Sequence, residues 1–290
     1  MLIPTPPEFS FHLCLEFLRR SPKELLHDPR HDGVVKALRV NDQVVVFFVT
    51  QAKGGLQITF LTKKVHAALK QTVASYVREW FDLDTDLKPF YRIAEKDTLL
   101  KDLVTRYYGY RIVGQPDLFE SLVWAVLGQQ INLGFAYTLK QRFVQTFGER
   151  LALGSREYFL FPSPETVSFI TPETLLTLQF STQKSRYTIA IAEAFSDGTL
   201  SKEKLKNLTL QDAKYELMKI KGIGNWTANY ALMKTFRYPD AFPLEDAGLH
   251  NAIRNLRRLG RKPTLTEVSK IFKKYKGWEA YATLYLWKSL

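Results

Sequence analysis

The spacing of apolar residues changes near residue 65, and this change limits what the chain can fold into. Before it, β-branched and aromatic runs at residues 34–40, 43–50 and 56–62 are separated by Asn41-Asp42 and Gly54-Gly55. Such runs predict an antiparallel strand meander. From Val65 to Phe81, and through nearly all that follows, apolar residues recur at the helical period of about 3.6 residues. The predicted fold class is α+β, with a small N-terminal domain of antiparallel sheet plus helices (1–95) followed by an all-α domain (96–290).

Charge and cysteine content restrict the classes of partner and site. The chain has 41 Lys+Arg against 29 Asp+Glu, a formal charge of +12. This excess favours a polyanionic partner, either nucleic acid or an anionic membrane. The single cysteine, Cys14, excludes an internal disulfide and any four-cysteine metal site, and fits a reducing compartment. With no apolar run of membrane-spanning length and no signal-peptide pattern, we expect a cytoplasmic or nucleoid location and no membrane partner.

The segment Lys219-Ile-Lys-Gly-Ile-Gly-Asn-Trp-Thr-Ala-Asn-Tyr230 predicts a turn that binds an anion. Gly222 and Gly224 flank Ile223, and glycine adopts the backbone angles of a tight turn while letting another chain come close. A helical pattern begins at Asn225, so the turn would present free N–H groups and a positive helix end. These features favour DNA phosphate as the ligand of a helical hairpin near residues 211–236.

Asp246 lies just before the apolar stripe of Leu249, Ile253 and Leu256, which places its carboxylate in the first turn of a helix. By spacing alone, two interpretations are equally good. The carboxylate caps the helix, as Asp often does, or it takes part in chemistry beside the aromatic residues of the preceding helix.

Three separated motifs resemble the helix-hairpin-helix DNA glycosylases, and within that superfamily the AlkA type. They are the hairpin with Asp246, the segment Ala125-Val-Leu-Gly-Gln-Gln130, and the terminal Trp278-Glu-Ala-Tyr-Ala-Thr-Leu-Tyr-Leu-Trp287. The resemblance covers about the whole chain and is weakest over the first ~80 residues. It implies a monofunctional enzyme of base excision repair, and nothing in the sequence demands more than a monomer. Such an enzyme flips alkylated bases, of the 3-methyladenine and 7-methylguanine type, out of double-stranded DNA and hydrolyses their N-glycosidic bond.

The resemblance also implies roles for individual residues. Asp246 matches the catalytic aspartate, which stabilises the oxocarbenium-like sugar and orients or deprotonates water. Trp226, Tyr230 and Trp278 are the expected walls of the base pocket, where ring faces attract a cationic purine. From helical spacing alone, the same aromatic residues would be ordinary core.

Two further sets of residues are expected to hold the DNA. The loop containing Gln129 and Gln130 matches the wedge that fills the gap left by the flipped base. Gln130 stands where the family has a bulky apolar residue. The backbone N–H groups of Gly222, Ile223, Gly224, Asn225 and Trp226 are expected to bind phosphate. The resemblance implies no cofactor for catalysis. It does imply a structural monovalent metal ion on the backbone carbonyls of Met218, Ile220 and Ile223.

Two other functions fit part of the pattern. Bifunctional glycosylase/lyases, which act on oxidised bases, use a lysine nucleophile just after the hairpin, and Trp226 occupies that position here. A non-catalytic helix-hairpin-helix DNA-binding protein would use the hairpin alone. Such a protein has no need of a carboxylate beside polyanionic DNA, where it would repel the phosphates.

Overall fold

The structure, a computed structural model, describes all 290 residues. Its N-terminal part contains a five-stranded antiparallel sheet with strand order β1-β5-β4-β3-β2. The strands are β1 (Leu2–Pro4), β2 (Asp28–Pro29), β3 (Gly33–Val40), β4 (Gln43–Ala52) and β5 (Gly55–Phe60). The three longest match the predicted meander, and their register pairs Val34 with Val49 and Val49 with Ile58.

One face of this sheet packs on two helices, α1 (Phe11–Leu18) and α2 (Ala67–Trp80). The buried residues between them include Val34, Val49 and Val77, which are fully shielded from solvent. Cys14 of α1 also lies in this core. The pKa of the Cys14 thiol is raised to about 12, mainly because the thiol is buried.

The rest of the chain is mainly helical, which confirms the predicted order of a sheet followed by helices. The helices are α3 (Lys88–Ala94), α4 (Lys101–Arg106), α5 (Leu118–Gly128), α6 (Leu133–Phe147), α7 (Pro164–Ser168), α8 (Pro172–Thr177), α9 (Thr182–Ser196), α10 (Lys202–Leu205), α11 (Leu210–Met218), α12 (Asn225–Phe236), α13 (Ala247–Leu256), α14 (Leu265–Phe272) and α15 (Glu279–Trp287). A short 3₁₀ turn, Lys273–Tyr275, follows α14. No helix is both long and apolar enough to cross a membrane.

Helix α5 forms the centre of the helical part. Asp117 caps its first turn by accepting a hydrogen bond from the Glu120 N–H at 2.9 Å. Every residue from Leu118 to Leu127 is buried, against α6, α9 and α12. The helix therefore delivers the loop that follows it, residues 128–132, from a fixed position.

The predicted helical second domain is confirmed, and one segment within it forms strands instead of helix. Residues of β6 (Arg150–Leu153) and β7 (Arg156–Phe159) form a two-stranded antiparallel ribbon. Tyr158 of β7 packs with Val35, Ala37 and Val46 on the sheet face opposite α1 and α2. Because this segment is too short to show helical or strand periodicity clearly, its partner surface decides its conformation.

Buried polar contacts join the two parts of the molecule. Lys140 of α6 donates hydrogen bonds to Glu24 at 2.9 Å and to Glu120 at 3.0 Å, and all three side chains are nearly shielded from water. Arg111 is fully buried and donates to the carbonyls of Glu8, Asp82 and Thr85. These contacts span the sequence from the N-terminal sheet to the helices, so the parts share one rigid frame.

Candidate active site and DNA interface

Asp246 stands at the start of α13, where its side chain is held by three N–H donors. Its Oδ1 accepts from the Leu249 N–H at 2.8 Å and from the Trp287 indole at 2.8 Å. Its Oδ2 accepts from the Trp226 indole at 3.1 Å. The cap and the indoles fix both carboxylate oxygens, and the first turn of a helix favours their negative charge.

A cleft of about 1690 Å³ opens in front of this carboxylate. Its lining comes from segments that are far apart in the sequence, among them α1, the loop after α5, the hairpin, α13 and α15. Asp246, Trp226 and Tyr230, singled out from the sequence, all line it. This volume exceeds the roughly 300–1,000 Å³ of a typical small-molecule site, and about half of the lining residues are hydrophobic.

Aromatic rings form the wall beside the carboxylate. Trp226 and Tyr230 stack at 5.3 Å between ring centroids with 25° between their planes. Trp287 lies 6.2 Å from Tyr230. The Tyr230 hydroxyl accepts a hydrogen bond from the Trp124 indole at 3.0 Å, which fixes the ring. The faces of such rings that look into the cleft can stack on a planar base.

Trp278 does not belong to this wall, contrary to the expectation from the sequence. It packs against Phe90 at 6.0 Å and Tyr281 at 6.2 Å, away from the residues that line the cleft. Trp287, at the other end of the same motif, lies there instead. The two tryptophans are separated by about two and a half helical turns, so they face opposite sides of α15.

The N-terminal part contributes residues that sequence reasoning missed. Phe17 and Arg20 line the cleft, with the Arg20 guanidinium 3.9 Å from the centre of the Phe17 ring. Arg20 also donates a hydrogen bond to the Tyr137 hydroxyl. A helical pattern marks α1 as a helix but carries no signal that its C-terminal end reaches a site in another part of the fold.

The hairpin between α11 and α12 has the predicted turn. Gly222 has a φ of +97°, and a Cβ there would lie 2.2 Å from the Tyr187 ring. A side chain is therefore excluded by both backbone angle and space. Helix α12 begins without a side-chain cap. The N–H groups of Gly222, Gly224, Asn225 and Trp226 donate to no protein acceptor, whereas Ile223 donates to the Ile220 carbonyl at 3.1 Å.

The two glutamines of the loop after α5 lie in different surroundings. The Gln129 amide donates to the Thr227 hydroxyl at 2.9 Å and to the Gly222 carbonyl at 3.3 Å, so it is tied to the hairpin. Gln130 is exposed and has a φ of +56°, in the left-handed region. Of the pair, Gln130 is the residue whose side chain is free to enter DNA.

The backbone carbonyls expected to hold an ion fit that role in part. The carbonyls of Met218 and Ile223 accept no hydrogen bond, while that of Ile220 accepts from Ile223. Carbonyl oxygens are ligands for hard cations. The protein has no cluster of three or more His, Cys, Asp or Glu that could hold a metal ion.

Comparison with known proteins decides the family. The model of the HhH-GPD superfamily of base excision DNA repair proteins matches residues 123–277, and the N-terminal domain of 8-oxoguanine DNA glycosylase matches residues 29–122. The chain belongs to the HhH-GPD superfamily. A DNA-3-methyladenine glycosylase of Bacillus subtilis (strain 168) is 40% identical over 293 residues, which span 100% of this chain and 97% of the relative.

Solved structures agree with this assignment. A 3-methyladenine DNA-glycosylase from Archaeoglobus fulgidus superposes with a TM-score of 0.85 over 99% of this chain and 97% of its own, at 21% identity, which shows the shared fold. The Schizosaccharomyces pombe enzyme Mag1, in complex with abasic DNA, is 28% identical and covers 68% of this chain and 93% of its own, with a TM-score of 0.59. This HhH-GPD protein is thus a DNA glycosylase of the AlkA type, a hydrolase of the N-glycosidic bond.

Proposed function

We propose that this glycosylase is monofunctional and releases N-alkylated purines of the 3-methyladenine and 7-methylguanine type from double-stranded DNA. The observation that carries the proposal is the Asp246 carboxylate, held by two indole N–H groups in the cleft beside the hairpin. The similarity to DNA-3-methyladenine glycosylases supports the same substrate class.

Binding of the base comes first. A base inside a duplex is out of reach of the carboxylate, so it must rotate out of the stack and enter the cleft. Trp226, Tyr230 and Trp287 offer ring faces there. An N-alkylated purine carries a positive charge, and a desolvated cation–π contact is worth about 2 kcal/mol. The aromatic wall therefore favours damaged bases over neutral ones.

Bond cleavage follows from the charge at Asp246. As the glycosidic bond breaks, positive charge develops on the sugar, and a fixed carboxylate stabilises it. The partners of Asp246 are N–H groups of two indoles and the backbone, none of which carries a full positive charge. Its charge therefore remains available to the sugar and to an attacking water. The cationic base leaves readily, so a general acid for the base is not needed.

The hairpin and the loop after α5 hold the DNA in this scheme. The free N–H groups from Gly222 to Trp226 bind a phosphate at the positive end of α12. Gln130 fills the gap left by the flipped base. A structural monovalent ion on the carbonyls of Met218, Ile220 and Ile223 would add positive charge beside that phosphate.

A lyase function on oxidised bases deserves one test, because residues 29–122 match the N-terminal domain of 8-oxoguanine DNA glycosylase. A lyase needs an amine that reaches the sugar. Trp226 takes the hairpin position of that lysine, and Lys221 does not line the cleft. Lys288 does line it but donates to Glu16 at 2.8 Å. We expect no covalent adduct with borohydride on alkylated or 8-oxoguanine DNA.

The experiment that tests the proposal measures base release and DNA binding in parallel. Methylated duplex DNA and duplexes with single 8-oxoguanine or undamaged sites are incubated with the wild type and with Asp246→Asn. Release of methylpurines by the wild type alone, with binding kept in the variant, supports the proposed function. Tight binding without any release by the wild type would favour a non-catalytic DNA-binding protein and overturn it.

A further inference from the structure

Lys184 of α9 makes contacts that none of the roles above uses. It is 7% exposed, and its Nζ donates to the carbonyls of Val126 at 2.8 Å, Leu127 at 3.0 Å and Gln129 at 2.6 Å. These carbonyls end α5 and begin the loop at residues 128–132. A single ammonium thus supplies all three of its donors to one helix end.

Lys184 caps the C-terminal end of α5. The last carbonyls of a helix have no partner within it, and the C-terminal end carries partial negative charge. Helix α5 ends at Gly128, where no side chain of its own can cap these carbonyls. Lys184 does so from another helix, and its contact with Gln129 extends the support into the loop itself.

The same helix also contacts the hairpin. Tyr187, one turn after Lys184, lies where a Cβ on Gly222 would stand, within 2.2 Å. The Gln129 amide closes the arrangement by donating to the Gly222 carbonyl and to Thr227. Gln129 therefore joins three elements. Its carbonyl binds Lys184 of α9, and its side-chain amide binds the hairpin.

We propose that Lys184 is a positioning residue for base extrusion, holding Gln129 and Gln130 in place against the DNA stack. This inference rests on the proposed function, because it assigns the extrusion step to this loop. Gln130 is exposed and in the left-handed region, so its own contacts do not hold it against the force of a displaced base pair. Gln130 is held in place through Gln129, whose carbonyl and side-chain amide are both hydrogen-bonded. Lys184 touches neither substrate nor Asp246, so its effect is confined to the loop.

The test compares two duplexes under single-turnover conditions. In one, an N-alkylated purine faces its complementary base. In the other it faces a tetrahydrofuran abasic analogue, so that no base pair has to be broken. Loss of hydrogen bonds from a charged donor predicts that Lys184→Met slows release from the paired duplex about ten- to hundredfold. We expect a much smaller loss on the unpaired duplex and recovery of paired release in Lys184→Arg.

Lys36→Met is the matched control. Lys36 is also 7% exposed and donates to a carbonyl, that of Leu26 at 3.0 Å, but in the N-terminal sheet. The Lys36→Met variant should have a lower thermal stability. Its ratio of release from the paired duplex to release from the unpaired duplex should equal that of the wild type. Lys184→Gln gives the same comparison if the methionine variant does not fold.

The outcomes separate the inference from the proposed function. Equal losses on both duplexes for the Lys184 variants would reduce Lys184 to a structural role and overturn the inference, while the proposed function would stand. Release by the wild type from neither duplex would overturn the proposed function and the inference with it.

Discussion

Helices α5 and α13 both begin at an aspartate that caps the first turn. Asp117 accepts from the Glu120 N–H at 2.9 Å, and Asp246 accepts from the Leu249 N–H at 2.8 Å. The difference lies in what else surrounds them. Asp117 is exposed and has no indole partner, whereas Asp246 receives two indole hydrogen bonds inside the cleft. The capping interpretation and the catalytic one are therefore compatible at Asp246.

The charges near these two helix starts also differ. Glu120, in the first turn of α5, belongs to a buried ion cluster with Lys140 and Glu24 that joins the two parts of the fold. Both carboxylates there pair with the one ammonium. Asp246 has only N–H donors as partners. The carboxylates of the buried cluster spend their charge on Lys140, whereas the charge of Asp246 is left for a substrate in the cleft.

The largest expected effect comes from exchanging the two aspartates for asparagine. Asparagine caps a helix as well as aspartate does, so Asp246→Asn and Asp117→Asn should both fold. The amide at position 246 cannot balance the sugar cation, and we expect base release to fall about 10²–10³-fold. Asp117→Asn should keep the wild-type rate. Single-turnover release measures both, and equal rates in the two variants would contradict the comparison.

The indole donors should have the next largest effect. Trp287→Phe and Trp226→Phe keep an aromatic ring but remove one hydrogen bond to Asp246 each. Because hydrogen bonds to charged groups are worth about 1.5–3 kcal/mol, we expect roughly ten- to hundredfold slower release.

Trp278→Phe is the control for these variants, since Trp278 packs on Phe90 outside the cleft. Its kcat should match that of the wild type. A fall in kcat as large as that of Trp287→Phe would show that Trp278 takes part in the active site.

Lowering the pH should destabilise the fold through two buried groups, His27 and Glu24 of the ion cluster. Burial lowers the pKa of His27 to about 4. The folded pKa lies below the ordinary value of 6.5, so the stability that neutral His27 supplies is complete above pH 6.5 and lost as the pH falls towards 4. Burial opposes ionisation of Glu24, but Lys140 and then His27 outweigh it and hold its pKa at about 2. Its contribution is complete above pH 4.5 and lost as the pH falls towards 2.

Urea unfolding at several pH values measures this effect. We expect the free energy of unfolding to fall by about 3 kcal/mol between pH 6.5 and 4, through His27. His27→Gln should flatten that part of the profile. An unchanged slope in the variant would show that other groups cause the loss.

The smallest effect concerns the caps themselves. Asp117→Ala should cost about 1 kcal/mol of stability through loss of the cap. Asp246→Ala removes the same cap and two indole hydrogen bonds, so its loss of stability should be at least as large. Thermal melts of the two variants give the comparison. A stable Asp246→Ala protein would mean that the carboxylate is strained in the native state.

The sequence supports prediction wherever a single element or a contiguous motif contains the signal. The strand meander and the glycines of the hairpin are of this kind. Prediction fails where packing between elements decides. The side of α15 that faces the cleft depends on how the helix docks, and the resemblance alone therefore points to Trp278 where the structure places Trp287. Arg20 reaches the cleft from the other part of the fold, which local periodicity does not register.

The burial of Cys14 bears on how the protein withstands the reagents that produce its proposed substrates. Alkylating reagents that damage purines also attack thiolates, and reactivity follows the thiolate fraction and access. Cys14 is fully buried, and its pKa of about 12 keeps it protonated. The protein therefore presents no accessible thiolate to the reagents that alkylate DNA. Its activity should therefore outlast exposures that inactivate enzymes with an open cysteine.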